Sequence, residues 1–77
     1  MAWLVRIVRV RPNGTEQILR DLAYADITEE QLARAEAFAD AETRKASGLH
    51  IRVYTSQDDG TFLPGDFDRV WDSEINL

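Results

Sequence analysis

One long helical segment most constrains how this 77-residue chain can fold. Residues 26–47 contain neither proline nor glycine, and Gly48 follows as a residue that readily ends a helix in the left-handed conformation. Thr28 and Gln31 have the spacing of a capping box, which predicts Thr28 as the N-cap. We therefore predict a helix that begins within about two residues of Glu29 and stops at Gly48.

The side chains of this segment support the same prediction. Acidic residues stand in its first turn and basic residues in its last, as the helix dipole favours. Ile27 and Leu32 occupy the hydrophobic staple positions. The predicted buried stripe consists of Leu32, Ala35, Phe38, Ala39 and Ala46. Because most of this stripe is alanine, the helix can lie close against a sheet.

The first 24 residues have the pattern of a β-hairpin. Residues 3–11 are rich in Val and Ile, which favours a strand, and residues 11–15 read Arg-Pro-Asn-Gly-Thr, a strong turn pattern. A three-residue loop of this type places Arg11 opposite Thr15 and takes the second strand to about Tyr24.

Both faces of this predicted hairpin are largely apolar. One face would carry Trp3, Val5, Ile7, Leu19 and Ala23. The other would carry Leu4, Val8, Val10, Ile18, Leu22 and Tyr24, together with Arg6 and Arg20. A hairpin with one wet face should alternate apolar and polar residues, so we expect cover on both faces, from this chain or from a partner.

The second half of the chain predicts another hairpin. Residues 49–56 alternate cleanly, as in a half-buried strand. Residues 57–60 predict a turn, Thr61–Leu63 the start of the returning strand, and Pro64-Gly65 its end.

The C-terminal tail fits two conformations. Phe67, Val70, Trp71 and Ile75 fall at helical spacing with Asp66 as a possible cap, although Phe67, Trp71 and Ile75 would also share one face of a strand. The helical or irregular form is the one we expect. The chain as a whole predicts a single α+β domain over residues 1–77. A small antiparallel sheet of two hairpins would carry one helix in the order β-β-α-β-β, followed by that tail.

The residue content argues against an enzyme. The chain has no cysteine and one histidine, so it lacks the residues for a thiolate or histidine-rich metal site, and it contains no phosphate-binding glycine loop or hydrolase motif. His50 on the polar face of a strand is expected to be solvated, because no orienting carboxylate lies near it in sequence. The aspartates at positions 58, 59, 66 and 68 fit turns and caps better than a calcium loop. We expect no catalytic residue, cofactor or metal.

Charge is distributed unevenly along the chain. Residues 1–20 carry a net charge of +3, whereas residues 21–77 carry −8. The four arginines of the first hairpin, with Trp3, could form a nucleic-acid-binding ribbon, or they could pair with the acidic remainder of the chain or of a partner subunit. The overall negative charge favours the pairing, so we expect no direct nucleic-acid binding.

The acidic surfaces and two aromatic residues are the candidate partner-binding residues. They are Glu29, Glu36 and Asp40 on the helix, Asp66, Asp68 and Asp72 in the tail, and Tyr54 and Trp71 as apolar anchors. Such carboxylates can imitate a nucleic-acid backbone and compete for the arginines and lysines of another protein. The alternative is a solvated acidic face without a partner.

In size, acidity, absence of cysteine and lack of catalytic groups, the chain resembles the small inhibitors that many phages encode, including anti-CRISPR proteins. This resemblance covers no motif; it implies a protein-binding module that inhibits a nucleic-acid-handling protein. The alternative is a homo-oligomeric structural or assembly protein, with Leu4, Val8 and Val10 as its interface. A monomer would favour the inhibitor and a stable dimer the structural role. With no targeting or membrane segment and no cysteine, we expect a cytoplasmic protein.

Overall fold

A four-stranded antiparallel sheet carries one helix on one of its faces. The computed structural model describes residues 3–56 and 67–75. The elements in chain order are β1 (Trp3–Val10), β2 (Glu16–Tyr24), α1 (Ile27–Ala46), β3 (Ile51–Ser56) and β4 (Phe67–Asp72). The strand order is β2-β1-β3-β4, and α1 contacts β1, β2 and β3. The predicted α+β class and the β-β-α-β-β order are confirmed.

The turn between β1 and β2 has the predicted form. The backbone N–H of Arg11 donates to the carbonyl oxygen of Thr15 at 2.8 Å. Asn13 accepts a hydrogen bond from the N–H of Thr15 through its side-chain oxygen, at 3.1 Å. Gly14 has a φ of +87°, a conformation that a residue with a Cβ rarely adopts.

A β-bulge in β2 changes which side chains share a face. Val8 lies opposite Ile18, but Ile7 lies opposite Arg20, so Leu19 is an extra residue on β2. The extra residue brings Arg20, Leu22 and Tyr24 to the same face of the sheet as Val5 and Ile7, and Ala23 to the opposite face. The predicted faces were wrong for these four β2 residues, because the prediction assumed an unbroken register.

The core lies between the sheet and α1. Val5, Ile7, Ile51 and Val53 are completely buried, and Tyr24 is nearly so. From α1 the buried residues are Ala33, Ala37 and Ala41, which recur every four residues and therefore lie on one side of the helix. Their small side chains let the helix axis lie close to the strands.

The predicted buried stripe of α1 was therefore out of phase. Leu32 is 66% exposed, Ala35, Ala39 and Ala46 are also exposed, and only Phe38 packs partly against the core. Alanine occupies so many positions of this helix that apolar spacing alone does not select a face.

The helix begins at Ile27, within the predicted two residues of Glu29, but its N-cap is Asp26 and not Thr28. The Asp26 carboxylate accepts a hydrogen bond from the N–H of Glu29 at 2.9 Å. The Glu29 carboxylate in turn accepts one from the N–H of Ala25 at 2.8 Å. This reciprocal arrangement resembles a capping box set two residues earlier than predicted. At the other end, Gly48 has a φ of +84°, as predicted for the stop.

The expected helical tail is instead strand β4, which pairs with β3. Trp71 lies opposite Val53 and Arg69 opposite Tyr54, so Val70 is an extra residue on β4. The bulge lets the consecutive residues Val70 and Trp71 both pack against the core, which explains why their spacing resembled that of a helix. The predicted turn at 57–60, strand at Thr61–Leu63 and stop at Pro64-Gly65 lie outside the described residues.

The face of the sheet opposite α1 also buries apolar side chains. Leu4 is 7% exposed and Val8 is 3% exposed. Arg52 lies directly opposite Val8 and Tyr54 opposite Arg6, and long side chains of this kind cover neighbouring apolar surface with their stems. Leu4 and Val8 therefore offer little apolar surface to a second copy, whereas Val10, the third residue expected in a homo-oligomer interface, is half-buried.

Candidate functional site

The carboxylate of Asp72 is held in a buried ion-pair cluster on the face opposite α1. Its Oδ2 atom lies 2.7 Å from Nε of Arg52, and its Oδ1 atom 2.8 Å from Nε2 of His50. Oδ1 also accepts a hydrogen bond from the N–H of Glu74 at 2.9 Å. Arg69 contributes a longer contact of 3.8 Å. The cluster ties β3 to β4 and to the turn that follows β4.

This environment shifts the acid–base equilibrium of Asp72. Burial alone would raise the pKa of its carboxyl group, but hydrogen bonds from Arg52, from the N–H of Glu74 and from His50 outweigh that effect and lower the pKa to about 2. The same pairing raises the pKa of Arg52. Asp72 is thus an anion throughout the neutral range, and its oxygens are already occupied within the chain.

The pairing of His50 with Asp72 was missed at the level of sequence. The two residues are 22 positions apart and meet only because β4 lies beside β3. A carboxylate at this distance can orient an imidazole ring, as in many catalytic sites. Here the other ring nitrogen, Nδ1, faces the exposed carboxylate of Glu74 at 3.6 Å.

The acidic flank of α1 is also paired within the chain. Arg20 on β2 donates to the carboxylates of Glu36 and Asp40, and Arg44 donates to Asp40 at 2.7 Å. Burial alone would raise the pKa of Asp40, but hydrogen bonds from Arg44 and Arg20 lower it. The hydrogen bond to Glu36 and, to a smaller extent, the hydrogen bond to Asp40 raise the pKa of Arg20. Glu36 and Asp40 therefore join α1 to β2.

The other predicted partner-binding residues are dispersed. Glu29 lies in the first turn of α1 and accepts a hydrogen bond from the N–H of Ala25, and Asp68 is exposed on β4. The Tyr54 hydroxyl donates to Glu16 at 2.6 Å, and burial, together with this hydrogen bond, raises the pKa of Tyr54. Trp71 is half-buried and packs against the core. Asp66 lies outside the described residues.

An unpaired sheet edge next to a groove is the surface that sequence reasoning did not find. β2 pairs with β1 alone. The outer side of β2 therefore presents backbone N–H and C=O groups that form no hydrogen bonds with another strand of the described chain. Beside it, β2 and α1 form a groove of about 320 Å³. Its lining residues are Leu22, Ala23, Glu29, Leu32, Ala33 and Glu36. A predicted strand next to an amphipathic helix does not by itself reveal which strand is the edge.

The edge beside this groove carries little free charge. Arg20 is turned over the sheet onto α1, and Asp21 is turned the other way onto Arg6, with contacts of 2.9 and 3.1 Å. The segment that follows, residues 22–25, is uncharged. Leu32, 66% exposed, forms an apolar wall beside it. An edge of this type can add a further strand.

The opposite edge of the sheet is less suited to strand addition. Both edge strands contain a bulge, at Leu19 in β2 and at Val70 in β4, so the bulges do not distinguish the two edges. β4 differs in that it carries the buried charge of Asp72, and inward-pointing charges are a feature by which edge strands resist pairing with other chains. Of the two edges, β2 is the more open to a partner.

Comparison with protein-family models, with curated protein sequences and with solved structures found no significant match. Among the described residues, no group of three or more histidine, aspartate or glutamate side chains is arranged so that it could hold a metal ion. Over the same part of the chain, no helix has the length and apolar content needed to cross a bilayer.

Proposed function

We propose that this protein is a protein-binding module that accepts an extended segment of its partner as a fifth strand on β2. The observation that carries the proposal is the juxtaposition of an unpaired strand edge with a groove that the same strand shares with α1. In strand addition, main-chain hydrogen bonds supply affinity and side-chain pockets supply selectivity. Leu22 and Leu32 give the groove the apolar surface that alternate side chains of an added strand would contact.

The charge at the rim favours a basic partner. The two charged residues that line the groove, Glu29 and Glu36, are both carboxylates, and the Glu36 side chain is 54% exposed. They are separated by seven residues, or about 10 Å along a helix. A segment with an apolar side chain between two lysines or arginines would complement this arrangement. Basic segments of this kind are typical of proteins that handle nucleic acids, and capture of such a segment would inhibit them.

The ion pairs of the acidic residues argue for a mode of inhibition other than imitation of a nucleic-acid backbone. Glu36, Asp40 and Asp72 are engaged by arginines of the same chain, so a row of free carboxylates imitating phosphates is not the basis of the proposal. Glu36 stays 54% exposed in its pair with Arg20, so Glu36 and Glu29 instead select and orient a partner whose main chain binds the edge. Complementary charge of this kind mainly raises the association rate and fixes orientation.

A symmetric pair of β2 strands from two copies is the second candidate. It is favoured by Ile18, an apolar residue on β2 that is 53% exposed. It is opposed by charge, since each copy carries a net charge of −5 and the groove rims of both would be acidic. Light scattering coupled to gel filtration distinguishes the two, because the favoured function needs a monomer at micromolar concentration.

The direct test uses an extended peptide with the pattern Lys-Thr-Val-Thr-Lys, which places both lysines and the valine between them on one face, compared with a peptide in which glutamate replaces lysine. We expect the lysine peptide to bind, with new protection from hydrogen exchange at β2 amides. Leu32→Gln should weaken binding, since it removes apolar surface from the groove without changing its charge, at a position too exposed to affect folding. Ile75→Gln, at an apolar residue 44% exposed and outside the groove, is the matched control.

Two outcomes would count against this function. Equal binding of the lysine and glutamate peptides would show that the carboxylates at the groove rim do not select the partner. Peptide binding that survives Leu32→Gln, or that leaves the β2 amides unprotected, would mean that the edge and its groove are not the docking surface.

A further inference from the structure

Two arginines stand apart from the ion-pair network of this acidic protein. All eight arginines lie within the described residues, and six of them contact a carboxylate of the chain: Arg6, Arg20, Arg34, Arg44, Arg52 and Arg69. In the same part of the chain, Arg9 and Arg11 have no carboxylate within ion-pair distance. The Arg11 side chain donates only to the hydroxyl of Thr15, at 3.2 Å.

Both of these arginines line one cleft at the end of the sheet. The cleft has a volume of about 460 Å³ and lies between the β1–β2 turn and the turn that joins α1 to β3. Its other lining residues are Val10, Pro12, Gly14, Gly48, Leu49, His50 and Glu74. It is separate from the groove beside β2, with which it shares no lining residue.

Convergence of the two arginines is informative because carboxylates outnumber cations in this chain. With 14 acidic residues against nine basic ones, an arginine without a partner is the exception. Both exceptions border the same cavity, where a planar guanidinium can offer paired N–H donors to an oxyanion. Glu74 is the single carboxylate among the lining residues, and its side chain is 68% exposed, so solvent screens its charge.

His50 forms a fixed part of the wall of the cleft. The hydrogen bond of 2.8 Å between its Nε2 atom and the buried carboxylate of Asp72 holds the ring at the cleft. Val10, Pro12 and Leu49 supply apolar wall on the same cavity. A volume of this size is within the range of small-molecule sites, which combine apolar walls with a few polar groups that fix orientation.

We propose that this cleft binds a small organic phosphate, with Arg9 and Arg11 holding the phosphate group and the apolar wall contacting the organic part. Two guanidinium groups suit a doubly charged oxyanion better than a single carboxylate. The overall charge of −5 works against a long polyanion, so the site is assigned to a compact ligand rather than to a nucleic-acid strand.

Titration by two-dimensional NMR of the 15N-labelled protein tests this assignment. The probes are inorganic phosphate, phenyl phosphate and benzoate at millimolar concentration, and a short single-stranded oligonucleotide. We expect phenyl phosphate to shift the amide signals of residues 9–14 and 48–50, to bind more tightly than inorganic phosphate, and to bind more tightly than benzoate. Arg9→Gln and Arg11→Gln should each weaken its binding about tenfold, as loss of a charge-assisted hydrogen bond does.

Lys45→Gln is the matched control, because Lys45 is also without an ion pair among the described residues but does not line the cleft. The same spectra report whether each variant is folded. Equal weakening in Lys45→Gln would show a diffuse charge effect and would overturn the assignment. Absence of shifts at the cleft, or benzoate binding as tightly as phenyl phosphate, would overturn it too. Tighter binding of the oligonucleotide than of phenyl phosphate would overturn the assignment, because it would mean that the cleft binds a nucleic-acid strand and not a small organic phosphate.

Discussion

The Nε atom of Arg52 lies 2.7 Å from the Oδ2 atom of Asp72, whose side chain is completely buried. The two residues face each other across β3 and β4, so the ion pair joins the last strand to the interior of the sheet. A buried carboxylate is stable only when its oxygens are occupied, and here Arg52, His50 and the N–H of Glu74 occupy them. This buried charge thus reinforces the attachment of β4, which also pairs with β3 and packs Val70 and Trp71 against the core.

The low pKa of Asp72 predicts a loss of stability in acid. The pKa is lowered from 3.8 to about 2 in the folded protein, so the carboxylate stabilises the fold above its unfolded-state pKa, and that contribution is lost as the pH falls through 4 toward 2. The shift corresponds to roughly 2 kcal/mol. Chemical denaturation across this pH range measures it. A free energy of unfolding that does not fall in this window would contradict the buried pairing.

Asp72→Asn should destabilise the protein by about 3 kcal/mol or more, because it leaves the charge of Arg52 without its partner in a half-buried site. Arg69→Gln is the control, since Arg69 contacts the same carboxylate at 3.8 Å from a partly exposed position. We expect this control to change the free energy of unfolding by less than about 1 kcal/mol. Similar losses in both variants would mean that charge in general, and not the buried pair, matters here.

The position of the N-cap predicts that Asp26 and Thr28, two residues of the same turn, contribute differently to stability. Asp26→Ala should lower the free energy of unfolding by about 1 kcal/mol, because the N–H of Glu29 loses its acceptor. Thr28→Ala should have little effect, because Asp26 and not Thr28 caps the helix. In a domain of this size, 1 kcal/mol lowers the melting temperature by about 4–8 °C. A larger decrease for Thr28→Ala than for Asp26→Ala would restore Thr28 as the cap.

Because one side of α1 is buried and the other is exposed, substitutions at Ala37 and Leu32 should affect stability very differently. Ala37 is completely buried against the sheet, so Ala37→Leu should cost about 1–3 kcal/mol by forcing the helix away from the strands. Leu32→Ala should change stability by less than about 0.5 kcal/mol, as expected for an exposed position. Thermal or denaturant unfolding of the two variants provides the comparison. Greater damage from Leu32→Ala would show that the helix presents its other side to the core.

Arg20 connects stability with the proposed docking groove. Because its ion pairs with Glu36 and Asp40 are partly exposed, Arg20→Gln should change the stability of the fold only slightly. Loss of the Arg20 charge releases Glu36 and makes the groove more negative, so the valine–lysine peptide should associate faster, and more so at low salt. Stopped-flow fluorescence of a labelled peptide measures the rate. Slower association would indicate that Arg20 itself helps to form the docking surface.

Local sequence determined the elements whose residues act on their immediate neighbours. Pro12, Asn13 and Gly14 specify the first turn through fixed or permissive backbone angles, and Gly48 ends α1 for the same reason. Clean alternation specified β3 as a strand with one buried face. Because these effects extend over only a few residues, sequence alone is sufficient to predict them, and with them the α+β class.

The tertiary structure decided the features that depend on residues far apart in the chain. An alanine-rich helix has no marked apolar face, so packing on the sheet chose Ala33, Ala37 and Ala41. Bulges at Leu19 and Val70 reversed the faces of later residues, since one added residue rotates the alternation by a full step. Placement of β4 beside β3 buried Asp72 with His50 and Arg52, and placement of β2 at the edge created the groove. The order of the strands determines which side chains form ion pairs between strands and which strands lie at the edges. Strand order depends on the packing of the whole domain, so a local pattern of residues does not predict it.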